Sequence, residues 1–163
     1  MKKSTLILIG ALLGIGLFFW SRYGRAQNLE FEEIKVLNIE NEHTALSTLV
    51  KGPTIVHFYA SWCGPCMAEI PHLLEYAKRN DNPYNVILIT DDEPELVRRM
   101  ILRGEGNVIV KRVESLKEND IFSIPVTYFT NNQSAVVKKV LGECEWNNEE
   151  FLTEIKALPE TEN

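Results

Sequence analysis

The chain reads as an α/β domain on a mixed sheet, and three observations carry that reading. Strand-like and helix-like stretches alternate through its middle, two of the strand-like stretches are almost wholly apolar, and the last two are joined by a short polar turn. Alternation implies parallel pairing across helical crossovers, apolar strands imply cover on both faces, and the turn implies an antiparallel hairpin at the end.

Residues 27–32 form a polar connector, and Glu33 to Ile39 alternates enough for a first strand. A helix is expected from Asn41 to Val50, capped by Asn41 and stopped by Gly52-Pro53. Thr54 to Ala60 (TIVHFYA) is dense in β-branched and aromatic residues, as a buried central strand requires. It leads into Trp62-Cys63-Gly64-Pro65-Cys66 and a helix to about Arg79. Tyr84 to Thr90 (YNVILIT) is a second buried strand, and Asp92 with Glu95 has the form of a capping box for a helix through about Arg103. Gly104 and Gly106 then interrupt the chain before a short edge strand, Asn107 to Arg112, and a brief helix near Ser115 to Asn119. Pro125 to Thr130 and Ala135 to Leu141 flank Asn131-Asn132 as a hairpin. A last helix starts near Asn147, with Glu150 three residues on, and runs to about Leu158; the tail from Pro159 is expected to fray.

With 163 residues there is room for one domain and an extension, which we divide as an N-terminal segment, 1–26, and a domain, 27–163. Ser4 to Ser21 is a run of 18 uncharged residues, enough as a helix to span roughly 27 Å, close to the hydrocarbon core of a bilayer. Lys2 and Lys3 before it favour an inside N-terminus and place the domain on the extracytoplasmic, periplasmic side. The competing reading is a signal peptide cut before Gln27, after the small residues Gly24 and Ala26, which would release a secreted domain. The length of the run, with Trp20 and Tyr23 at its end, favours an uncleaved membrane anchor. Gly10 and Gly14 have the GxxxG spacing of associating membrane helices.

The 45% hydrophobic and 25% charged content excludes wholesale disorder and a polytopic membrane protein. Beyond Arg25 only 13 basic residues face 23 acidic ones, and a domain so acidic repels nucleic acid and anionic lipid.

Three cysteines, two of them close together and one far downstream, do not make a disulfide-stapled scaffold. Cys63 and Cys66, at i and i+3 on the first turn of a helix, face one side and can close a small disulfide ring. Cys63 at the helix N-terminus meets unpaired backbone N–H groups and the positive end of the helix dipole, which favour thiolate. A fall in its pKa from ~8.5 toward ~7 corresponds to roughly 2 kcal/mol of thiolate stabilisation. Cys63 is the candidate nucleophile, and Cys66, one turn inside, the candidate resolving thiol. Gly64 permits close substrate approach, and Pro65 gives up only an N–H that the helix does not use. A zinc half-site, a purely structural disulfide and a Cu(I) chaperone remain as alternatives; no second CxxC or close His pair completes a metal site.

TIVHFYASWCGPC resembles the central strand and active site of the thioredoxin family, with WCGPC matching completely. Pro71 falls where that family kinks its active-site helix, Ile124-Pro125 where it has a cis-proline, and Gly142 where a glycine ends its last strand. Residues 66–73 (CMAEIPHL) are similar to the C-x-x-E-x-P-x-L pattern of TlpA-like membrane-anchored disulfide reductases. The resemblance, over about 33–158, implies a thioredoxin fold, a central mixed sheet flanked by helices, and an exported reductant of protein disulfides, in some members serving cytochrome c maturation. It implies no cofactor beyond the Cys63-Cys66 disulfide, disulfide-containing client proteins as partners, a membrane electron donor for re-reduction, and Ile124 pairing its backbone with substrate beside Pro125. An oxidising or isomerising role is the nearest rival, but the CGPC motif is shared with thioredoxin, at ~−270 mV, rather than with DsbA, at ~−120 mV.

The chain departs from the family where His57 stands in place of a buried Asp and Ile87 in place of its lysine partner. His57 is either an acceptor for the Cys66 proton near neutral pH or a neutral core histidine. Glu69 either tunes the thiols and their proton transfer or is an exposed helix residue. Trp62 packs beside the cysteines and shapes the docking face, or fills the core. His43 and His72 are expected at the surface, and Cys144 is expected to be a buried inert thiol.

Overall fold

The computed structural model describes residues 31–38, 42–101 and 108–161. The expected anchor, the connector as far as residue 30, and the capping role of Asn41 lie outside these residues. Among the described residues no helix is long and apolar enough to cross a membrane.

Seven strands form one sheet among the described residues: β1 (Lys35–Leu37), β2 (His43–Ala45), β3 (Thr54–Phe58), β4 (Asn85–Thr90), β5 (Val108–Arg112), β6 (Val126–Thr130) and β7 (Val136–Leu141), in the order β2-β1-β5-β4-β3-β6-β7. The helices are α1 (Gly64–Ala77), α2 (Pro94–Ile101) and α3 (Glu149–Ala157). β3, β4 and β5 run parallel, joined through α1 and α2, while β6 and β7 add an antiparallel hairpin against β3. The expected mixed α/β sheet is therefore present. β3 is buried at every position and β4 at all but its first residue, in keeping with their largely apolar sequences.

Alternation along the strands divides the core in two. Ile55, Tyr59, Val86, Leu88 and Phe129 face α1, α2 and α3, meeting Leu73, Val97, Leu152 and Ile155. Val56, Phe58, Ile87, Ile89 and Tyr128 face the other way, where the cover among the described residues includes no α-helix: Phe31, Ile34, Leu46 and Val50 from the start of the described chain, and Val113, Leu116 and Ile121 from the segment before β6, in which the brief helix expected near Ser115 to Asn119 is a 3₁₀ turn, Lys117–Asn119. Among the described residues the sheet is thus flanked by α-helices on one face only.

Several elements depart from the sequence reading. The helix expected at 41–50 is instead β2 followed by a single 3₁₀ turn, Leu46–Thr48. Pairing with β1 decides this: Lys35 stands opposite Ala45 and Leu37 opposite His43, and the Leu46 N–H donates to the Ile34 carbonyl at 2.8 Å. β5 is not an edge strand, because β1 docks against its far side through Leu37 and Arg112. α2 begins at Pro94, with the Glu93 carbonyl accepting from the Leu96 and Val97 N–H groups, so Asp92 lies one residue outside the cap and its carboxylate accepts instead from Ser61. α3 is capped by Asn148, one residue later than expected, whose side chain accepts from the Glu150 and Phe151 N–H groups. The tail does not fray as far as Thr161: Pro159 is buried, its carbonyl accepts from the Asn132 N–H at 3.0 Å, and the Asn131 amide donates to the Thr161 carbonyl at 2.8 Å.

α3 has only nine residues, too few to be stable alone, so it depends on burying Leu152 and Ile155 and on its cap. Asn148→Ala should lower stability by about 1 kcal/mol, read as a lower urea midpoint with an unchanged denaturant slope.

Candidate active site

β3 ends at Phe58, and the next five residues turn the chain out of the sheet and into α1. The Tyr59 N–H still donates to the Ile89 carbonyl at 2.9 Å, and the Cys63 N–H closes the turn on the Ala60 carbonyl at 3.1 Å. Asp92, from the end of β4, holds the middle of the turn: Oδ2 accepts from the Ser61 N–H at 2.8 Å and Oδ1 from the Ser61 hydroxyl at 2.9 Å. That part-buried clamp holds the turn from which α1 begins.

Cys63 is the N-cap of α1. Its backbone is extended, and its Sγ accepts from the Cys66 N–H at 3.2 Å. Pro65 has no N–H, so the amide delivered to the sulfur is that of Cys66. The two sulfurs are joined in a disulfide across Cα atoms 5.3 Å apart. Cys63 keeps 6% of its surface exposed and Cys66 none, so an approaching group meets Cys63 first. Gly64 is exposed, and no atom lies within 4 Å of the place where a Cβ would stand. Pro71 lies inside α1, five residues beyond Cys66.

The Ile124-Pro125 bond is cis. Val126 stands opposite Phe58, the last residue of β3, so Ile124 and Pro125 lie at the sheet end from which the cysteine turn departs. Ile124 packs against the cluster that holds both cysteines. Gly142, at φ 88°, a conformation that glycine adopts without a side-chain clash, donates its N–H to the Pro125 carbonyl at 2.8 Å. Three large apolar side chains at this end lie open to solvent: Trp62 at 76%, Phe122 at 72% and Leu141 at 64% exposed. Trp62 is thus no core residue.

Beneath the disulfide lies a buried polar group of residues. His57 shares the face of Ile55 and Tyr59 by strand alternation; its Nδ1 hydrogen-bonds the Thr127 hydroxyl at 2.9 Å, and its Nε2 has no partner. Burial lowers its pKa to about 4, so the ring is neutral at physiological pH. Glu69 is not an exposed helix residue but 4% exposed, one turn beyond Cys66 on the buried face of α1. Its Oε1 accepts from the Cys144 N–H at 3.0 Å and the Trp146 indole N–H at 2.7 Å, while Oε2 is buried without a hydrogen-bond partner. Burial raises the Glu69 pKa above the ordinary carboxylate range, and the two donors partly oppose the rise. The Cys144 thiol, unpaired and buried, interacts with Thr127 and Glu69 and is pushed up to about 12, chiefly by burial.

The structure therefore gathers Trp62, Cys63, Gly64, Pro65, Cys66, Ile124 and Pro125 at one end of the sheet, with Glu69 directly below on α1 and His57 on the sheet face that α1 covers. His43 is exposed, as expected; exposed His72 lies 3.4 Å from the Asn147 amide. Sequence reasoning missed Asp92 in the turn, Thr127, Phe122 and Trp146. The signal for Trp146 was chemical: a buried indole needs an acceptor for its N–H, and Glu69 is the buried carboxylate. Among the described residues, no three or more of His, Cys, Asp and Glu form a group able to hold a metal ion.

Comparison with known proteins agrees with this geometry. The model of the AhpC/TSA family matches residues 27–140. The chain is 28% identical over 167 aligned positions to "Thiol-disulfide oxidoreductase ResA" of Halalkalibacterium halodurans, covering 96% of this chain and 94% of that protein. The fold is shared with the exposed lipoprotein thioredoxin Etrx1 of Streptococcus pneumoniae (TM-score 0.55, 23% identity, 76% of this chain and 98% of that one). It is also shared with a secreted Mycobacterium tuberculosis disulfide oxidoreductase described as homologous to DsbE (TM-score 0.61, 15% identity, 79% and 98%). The thioredoxin-like fold is thereby established.

The neutral, buried His57 makes stability depend on pH. Its folded pKa lies below the unfolded value of ~6.5, so the unfolded chain binds the proton first, and stability present above pH ~6.5 is lost as pH falls toward 4. The loss should be about 3 kcal/mol by urea unfolding of the oxidised protein between pH 7 and pH 4, and His57→Gln should lack that component.

Proposed function

Because the chain belongs to the AhpC/TSA family and is a thiol-disulfide oxidoreductase, we propose that it works in the reducing direction, donating electrons to disulfides of client proteins outside the cytoplasm. The observation that carries the exchange chemistry, in whichever direction electrons pass, is the Cys66 N–H donated to the Cys63 sulfur at the mouth of α1, which favours a thiolate at the one cysteine of the pair with exposed surface. The CGPC sequence, shared with the strongly reducing thioredoxin motif, supports the direction.

The exchange follows from the geometry. The Cys63 thiolate attacks one client sulfur; the client disulfide breaks, a Cys63–client disulfide forms, and the other client sulfur leaves as a thiolate. Cys66 then gives up its proton and attacks the Cys63 sulfur, closing the Cys63-Cys66 disulfide and expelling the second client thiolate. Two electrons pass from the dithiol to the client, and the closed disulfide is the oxidised end of the cycle. Glu69 is the better acceptor for the Cys66 proton: each group has an unpartnered buried atom, but burial raises the pKa of Glu69, one turn from Cys66, and lowers that of His57 to about 4, which disfavours the imidazolium His57 would become.

Client recognition belongs to the apolar rim. Trp62, Phe122 and Leu141 surround the site with exposed apolar surface, and the Ile124 backbone beside Pro125 offers an extended partner for a client strand. The 18-residue uncharged run at 4–21 is assigned as the membrane anchor that keeps the domain on the extracytoplasmic side, with a membrane dithiol donor resetting the disulfide.

Cys66→Ala should accumulate mixed disulfides on Cys63, identifiable after trapping, whereas Cys63→Ala should accumulate none. Equilibration of the Cys63-Cys66 pair with glutathione should give a potential well below −180 mV; a higher value would reverse the assigned direction. Trp62→Ser with Phe122→Ser should raise KM for a protein disulfide by roughly tenfold or more and leave reaction with a small disulfide unchanged, as loss of apolar contact alone requires.

A further inference from the structure

Trp146 follows Cys144 in the segment between β7 and α3 and is buried. Its ring is packed by Tyr76 at 5.4 Å, Phe151 at 5.7 Å and Phe129 at 6.3 Å between centroids. A phenylalanine would answer that packing. The indole is nevertheless turned so that its N–H reaches Glu69 Oε1 at 2.7 Å, on the oxygen that already accepts from the Cys144 N–H.

The two donors make the carboxyl group asymmetric. Oε1 is occupied twice and Oε2 not at all, although both are shut off from solvent. A carboxyl held by one oxygen cannot exchange the roles of its two ends by rotation, so any proton it takes goes to Oε2. Glu69 and Cys66, three residues apart, share the buried face of α1, so that oxygen belongs to the surroundings of the resolving sulfur.

We propose that Trp146 is a positioning residue for thiol exchange, its indole N–H fixing Glu69 by Oε1 so that Oε2 receives the Cys66 proton. This rests on the assignment of Glu69 as the proton acceptor. As Cys66 attacks the mixed disulfide, its S–H bond breaks and the proton goes to Oε2; the Cys63-Cys66 bond forms and the client sulfur leaves with the electron pair of the bond it loses. When a donor dithiol reduces the site again, the proton returns to Cys66. Burial and the nearby Glu143 charge oppose ionisation of Glu69, while the Cys144 N–H, the indole N–H and the Cys144 side chain favour it, so the indole contributes to setting the pH at which Glu69 is ready to accept.

The test is the pH dependence of the second step in the full-length protein, followed as release of the second thiolate from a fluorescent peptide disulfide in a single turnover. The parent should slow on the acid side as Glu69 becomes protonated. Trp146→Phe, which keeps the ring and loses the donor, should move that limb to higher pH, giving a rate about tenfold lower within the limb and equal to the parent above it. Glu69→Gln should abolish the limb. A limb abolished by Glu69→Gln but unmoved by Trp146→Phe overturns the role of Trp146 and leaves that of Glu69 standing. A limb that survives Glu69→Gln overturns both. Should Trp146→Phe fail to fold, the unaltered protein still decides: the Trp146 indole N–H resonance must follow the Glu69 carboxyl titration, and an indole signal indifferent to it refutes the proposal.

Discussion

A helix begins with amides that have no carbonyl to bond, and some other acceptor must answer them. In this chain the amide of Cys66 is answered by the sulfur of Cys63, 3.2 Å away. That contact requires α1 to start at Gly64, which in turn requires the turn after β3 to be held rigidly. Asp92 does this from the neighbouring strand, gripping the backbone and the hydroxyl of Ser61. The helix mouth, the accessibility of Cys63 and the burial of Cys66 all follow from a carboxylate about thirty residues downstream, brought close by the parallel pairing of β3 with β4.

Much of this was legible in the sequence because it depends on local pattern. The composition of TIVHFYA and YNVILIT predicts buried strands, and β3 and all but the first residue of β4 are buried in the sheet. The cysteine pair was placed at a strand-to-helix junction, and there it stands. What failed was decided by distant partners. His43–Ala45 became a strand because β1 was there to pair with it, and β5 became internal because β1 docked beside it. Asp92 had the spacing of a capping residue but found a better donor pair in Ser61. The same limit applied at the site: Cys63 and Cys66 could be assigned from their spacing, whereas the environment of Glu69 is built by residues more than seventy positions away.

The two sides of the sheet are built differently, and the polar residues follow that division. The helical side carries both cysteines, Cys144 and Trp146 within its apolar cluster, together with His57 and Glu69. Each buried polar group there costs stability unless its atoms are paired, and His57 Nε2 and Glu69 Oε2 are left without partners. The opposite side, covered by the segment from Phe31 and by the residues before β6, holds none of the unpartnered buried side-chain atoms among the described residues. Unsatisfied polarity is thus concentrated under α1, where the proposed chemistry needs a place for a proton, and kept away from the side that only holds the sheet together.

A third sulfur so near an exchanging pair is a hazard, since any competent thiolate there can enter the wrong disulfide. Cys144 is made harmless without being removed. With burial pushing its pKa up to about 12, Cys144 carries far less of the reactive anion at pH 7 than an ordinary cysteine would. Traffic of electrons is thereby confined to one route, and the spare sulfur acts as an insulator wall rather than a branch in the circuit.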